Sequence, residues 1–147
     1  MPSRHLVFLA LLVATSLYAV IRGGRPERIG AATMLAGSLL SACAVHAPRS
    51  RFIHAEGGIL LVDLAMLGVI TWLAVRSTRF WPIWVAAMIL AETVVHIMSA
   101  LAPRSVPIGY LRAQALWSWI SLILLLGGTF RHRWRERTGE PDPPWKA

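Results

Sequence analysis

Apolar residues gather into five long runs separated by short polar or charged connections, at 6–21, 29–47, 57–75, 80–102 and 111–130. A helix rising 1.5 Å per residue crosses a hydrocarbon layer of about 30 Å in roughly 20 residues. The runs therefore predict an all-α fold, a polytopic transmembrane helix bundle with five transmembrane helices.

The first run follows Arg4 and His5 and has the look of a secretory signal. However, it lacks an A-x-A exit, and Arg22, Arg25 and Arg28 stand where a cleavage region is normally uncharged, so it reads as a first span. The second lies between Pro26 and Pro48 and is rich in small residues. Ala32 and Ala36, Gly37 and Ser41, and Ser38 and Ala42 are each four apart, a spacing that lets helix backbones approach closely and predicts a central position. The third contains Asp63, whose neighbours on the same helical face, Ile59, Leu60, Met66, Leu67 and Ile70, are all apolar. Only the connection at 76–79 separates it from the fourth run, so the two predict an antiparallel hairpin.

The fourth run contains no Lys, Arg or Asp, yet it carries Glu92 and His96 four residues apart on one helical face. An ionisable side chain in mid-membrane costs roughly 2.5 to 3.5 kcal/mol on insertion scales, so such groups face protein or water. The fifth run places Gln114, Ser118 and Ser121 on an inward polar stripe. Residues 1–130 thus read as a single transmembrane bundle. Residues 131–147 read as a basic, proline-rich cytoplasmic tail, disordered beyond its first turn or two.

Composition agrees, since 56% of the 147 residues are hydrophobic, too many for an ordinary soluble domain. The net charge of +8 does not indicate nucleic acid, because the basic residues are spread among the connections and form no continuous groove. Their distribution does set an orientation. Ten of them (Arg22, Arg25, Arg28, Arg76, Arg79, Arg131, Arg133, Arg135, Arg137 and Lys146) fall on one side of a five-span topology, and five (Arg4, Arg49, Arg51, Arg104 and Arg112) on the other. The positive-inside rule makes the first side cytoplasmic, giving a cell inner-membrane protein with its N-terminus outside and its C-terminus inside. Trp72, Trp81, Trp84 and Trp134 then form an inner aromatic belt, with Tyr110 at the outer interface. Arg131, Arg133, Arg135 and Arg137 meet anionic lipid, each worth about 1 kcal/mol near the surface.

Counted from the outer helix ends, Asp63 and His96 each lie about 9 Å deep, Ser118 about 10 Å and Glu92 about 15 Å. His46 lies near the outer mouth and His54 above it. Polar groups from different helices thus fall at matching heights in one half of the bilayer. Asp63, Glu92, His96, Gln114 and Ser118 are the candidate ligand or proton-relay residues. Carboxylate and imidazole can exchange protons near neutral pH when burial and neighbouring charge tune them, and the amide and hydroxyl would orient them. The competing reading is a hydrogen-bond network that only fixes helix packing, in a structural or accessory subunit of a larger membrane complex or a homo-oligomer.

Asp63, Glu92 and His96 are also weak candidates for a metal site, because an E-x-x-x-H pair plus one distant carboxylate supplies three O/N ligands. Haem is disfavoured, since His96 alone is clearly interior. The sequence designates no cofactor. It has no G-x-G-x-x-G, P-loop, H-E-x-x-H or internal repeat, and nothing pairs Cys43 or Ser41 with a base, so the reading leans away from an enzyme. Cys43 is the only cysteine and excludes an intrachain disulfide. In size, span number and tryptophan content the chain resembles the tryptophan-rich sensory and translocator proteins, which bind porphyrin and sterol. The Trp-Pro cluster after that family's first helix has no counterpart at 22–28, so no residue roles carry over.

Overall fold

The computed structural model describes the backbone of residues 2–45, 52–101, 108–140 and 143–146, and within these the side chains of 5–43, 57–99, 101, 116–140 and 143–146. The described chain forms five helices in the predicted order: α1 (Pro2–Arg22), α2 (Arg25–Val45), α3 (Phe52–Arg76), α4 (Trp81–Leu101) and α5 (Ile108–Thr138). α1, α3 and α5 extend beyond their apolar runs, α2 is shifted towards the N-terminus, and α4 lies within its run. Hydropathy marks the length that lipid requires, whereas helix ends follow backbone hydrogen bonding. Thus α2 begins at Arg25, ahead of the expected 29, because Pro26 falls in the first turn, where its missing N–H leaves no helical bond unmade. Pro82 occupies the same place in α4.

Sequential helices are neighbours. In addition α1 packs on α5, closing a ring, and α2 also touches α5 across it. The small residues of α2 do bring helices together, but of the expected pairs only Gly37 and Ser41 lie on the packed side, Gly37 buried and Ser41 half-buried. Pro26, Glu27, Gly30, Ala31, Met34 and Gly37 are buried, whereas Ala32, Ala36 and Ala42 are exposed. A Cβ on Gly37 would overlap Met66 of α3.

Among the described residues, three helices are long and apolar enough to cross a membrane, at His5–Arg22, Gly57–Arg76 and Trp81–Ser99. Their outward faces carry large apolar side chains such as Leu6, Val7, Leu61, Val75, Ile83 and Leu101, each more than half exposed, as lipid-facing positions require. α2 and α5 are less apolar over the described residues, because one opens on Arg25, Glu27 and Arg28 and the other continues into the basic segment.

The core lies towards the end that holds the α1–α2 and α3–α4 connections. Ala19, Ala31, Ile70, Leu73, Trp81, Val85 and Leu125 are wholly enclosed there. Trp81 is its centrepiece rather than a member of the expected aromatic belt, unlike Trp72, Trp84 and Trp134, which are exposed. Its indole is wedged between Gly30 of α2 and Gly128 of α5, and a Cβ on either glycine would overlap the ring.

Residues 131–138 continue α5, and 143–146 return to the α3–α4 turn. Ser77 and Trp145 form a β-bridge, Lys146 N donates to Arg76 O at 2.8 Å, and Thr78 Oγ1 donates to Pro143 O at 2.6 Å. Trp145 also packs against Trp72, ring centroids 5.6 Å apart and tilted by 53°. The prolines of this segment suit an extended strap.

Candidate functional site

Asp63 sits in the middle of α3, buried among the apolar neighbours its spacing foretold. Its partner comes from α4: His96 Nε2 lies 3.4 Å from Asp63 Oδ2. The distance and alignment make this an ion-pair contact rather than a hydrogen bond, for Oδ2 has no hydrogen-bond partner. The two residues meet because the short α3–α4 turn reverses the chain and sets them at equal heights.

Glu92 is half-buried one turn away on the same face as His96 and lies within electrostatic reach of Asp63. Ser99, one turn beyond His96, continues that face, and its buried hydroxyl lacks a hydrogen-bond partner. Glu92, His96 and Ser99 thus stand at i, i+4 and i+7, a stripe legible in the sequence whose third member the sequence reading passed over. Ser118 is half-buried on α5 and Ser121 is buried. The side chain of Gln114, like those of His46, His54 and Tyr110, falls outside the described residues.

Among the described residues no group of three His, Cys, Asp or Glu side chains could hold a metal ion. Asp63 and His96 meet, but successive residues on a helical face are roughly 5 to 6 Å apart at Cβ, and Glu92 does not close a third ligand position. A carboxylate and an imidazole at this spacing suit the exchange of a proton.

A second polar cluster occupies the opposite end of the bundle. Glu27, in the first turn of α2 where the helix dipole favours a carboxylate, is fully enclosed. Arg79, from the α3–α4 turn, brings Nε to 3.1 Å from Glu27 Oε1, and the same oxygen accepts from Trp81 Nε1 at 3.4 Å. Arg79 Nη2 lies 2.9 Å from His132 Nδ1 on α5. A guanidinium can only donate, so Nδ1 accepts, and the ring N–H belongs on Nε2, which lies 3.3 Å from Glu136 Oε1.

This network joins α2, the α3–α4 turn and α5, with Glu27 and Arg79 buried at its centre. In the sequence Arg79 is one basic residue among ten on its side, and Trp81 one of four belt tryptophans. One signal was present: Glu27 is the lone acid in a connection that carries Arg22, Arg25 and Arg28.

No family model, characterised protein or solved structure matches the chain. The chemistry of its own side chains therefore carries any functional conclusion.

Proposed function

We propose that the chain is a small integral inner-membrane protein of five spans whose Asp63, Glu92 and His96 take up a proton or small cation in the outer half of the bilayer. Gln114 and Ser118 serve as orienting hydrogen-bond partners. The observation that supports this reading is the Asp63–His96 contact at 3.4 Å within two lipid-length helices, with Glu92 one turn away. Three ionisable groups gathered at membrane depth are costly to keep, and proton or ion handling is the function that most directly uses them. The same topology sets the C-terminus inside the cell, with Arg131, Arg133, Arg135 and Arg137 at anionic lipid.

Infrared difference spectroscopy of protein in lipid vesicles tests the site. Changing pH, or adding sodium at fixed pH, should move intensity between the protonated-carboxyl and carboxylate bands, and Glu92→Gln should remove part of that response from a still-folded protein. If wild-type bands do not respond to either, the cluster only fixes helix packing and the chain acts through association with other membrane proteins. Orientation has its own test. In a Cys43→Ser background, Glu140→Cys should react with a membrane-impermeant maleimide only after the cells are opened; labelling of intact cells reverses the topology.

A further inference from the structure

The two polar clusters of the bundle are separated by an apolar layer to which all five helices contribute. On one side of it stands the Asp63 site, where His96 is the more open member of the ion pair, with 26% of its side chain exposed against 11% for Asp63. Burial deepens from there towards the α3–α4 turn. Ile89 and Val85, one and two turns from Glu92 on α4, are 6% and 0% exposed. Ile70 and Leu73, about 10 and 15 Å of helix rise from Asp63 on α3, are both fully enclosed. Leu12 of α1, Met34 of α2 and Leu122 of α5 complete the layer. The hydroxyls at its borders do not bridge it. Thr93 Oγ1 donates to Ile89 O and Thr129 Oγ1 to Leu125 O, both at 2.8 Å, so each is engaged within its own helix. Ser16 Oγ is buried without a hydrogen-bond partner among the described residues, and so joins neither polar cluster.

On the far side of the layer a cleft opens, lined by residues that include Arg79, Trp81, Gly128 and His132. Trp81 and Gly128 are themselves buried, and the indole wedged between Gly30 and Gly128 closes the way from that cleft into the bundle. A proton crosses a protein along hydrogen-bonding groups or water, and a cation needs oxygen ligands. Close-packed Ile, Leu and Val side chains offer neither, and an apolar gap between them stays dry. We propose that this layer makes the Asp63 site a dead end, entered and left through one mouth on the His96 side. The chain then holds its proton or cation and does not pass it across the membrane, which makes it a one-sided receptor and not a channel or carrier. The inference deepens the uptake reading above and rests on it.

Cysteine accessibility in a Cys43→Ser background tests the layer, with a small, charged, membrane-impermeant thiosulfonate applied to intact cells and to inverted membrane vesicles. His96→Cys should be labelled from one side of the membrane, and Thr78→Cys, at the exposed turn, from the other. Ile89→Cys and Val85→Cys should react from either side about tenfold more slowly or not at all, because only local opening of the fold exposes them. Val85→Cys, the smaller change in volume, serves where Ile89→Cys fails to fold. Rapid labelling within the layer would overturn it, and labelling of His96→Cys from both sides or from neither would overturn the single mouth. In vesicles under a potassium gradient clamped with valinomycin, proton uptake and sodium uptake should be the same for wild type and Asp63→Asn. A wild-type flux that Asp63→Asn removes would overturn the dead end. The infrared response to pH or sodium separates this inference from the reading beneath it: silent wild-type bands refute both, whereas responsive bands together with flux, or with a labelled Val85→Cys, refute the dead end alone.

Discussion

Removing one partner of the Glu27–Arg79 pair should destabilise the fold more than any other single charge change. Glu27 is 0% exposed, so solvent cannot screen its carboxylate once Arg79 is removed. Arg79→Ala leaves the Glu27 carboxylate with the Trp81 N–H at 3.4 Å and also takes the donor from His132 Nδ1. Breaking a buried pair in this way costs about 3 to 5 kcal/mol. Glu27→Gln keeps the shape and leaves Arg79 beside His132 at the cleft edge, where water can reach it, so its cost should be smaller, about 2 kcal/mol. At roughly 2 to 4 °C per kcal/mol for a chain of this size, the midpoints should fall by about 10 °C and about 6 °C respectively. Thermal melts in one mild detergent at one scan rate, followed by circular dichroism, measure the shifts. Glu27→Gln combined with Arg79→Met should cost clearly less than the two single changes summed, because no unpaired charge remains. Raising ionic strength should leave the wild-type midpoint unchanged, since buried pairs are little screened. Shifts below about 2 °C for Arg79→Ala, or strict additivity in the double variant, would show that the pair is solvated and the buried clamp is wrong.

Adjacent glycines of α5 should respond oppositely to alanine. A Cβ on Gly127 meets nothing within 4 Å, so Gly127→Ala should stabilise slightly, by up to about 1 kcal/mol from helix propensity, whereas Gly128→Ala drives a methyl into Trp81 and should cost about 1 to 3 kcal/mol, both read from the same melts. Asp63→Asn and His96→Gln should be mild, at about 0.6 to 1.7 kcal/mol of coupling in a double-mutant cycle, and larger coupling would mean a fully sealed pair. Trp145→Ala should release the strap from Ser77 and Trp72, seen as faster proteolysis within 139–147 with the helical circular dichroism retained. Unchanged cleavage would mean that the strap is held without its tryptophan.

The five helices and their order were legible in the sequence because each follows a long apolar run, and apolar length is read along one dimension. Asp63 and His96 could also be placed at one height, because a hairpin with a short turn fixes relative register, and Glu92 and His96 share a face by spacing alone. Hydropathy could not tell a solvated charge from a paired one, so Glu27 and Arg79 read as ordinary residues of basic connections until the fold enclosed them together. Nor does any local pattern say that Trp81 would lodge between Gly30 and Gly128, residues of two helices far apart in sequence. The strap at 143–146 is likewise tertiary, since its hydrogen bonds go to a turn more than sixty residues earlier. Apolar length is a property of each segment by itself, whereas a buried ion pair, a wedge and a docked strap exist only when separate segments converge.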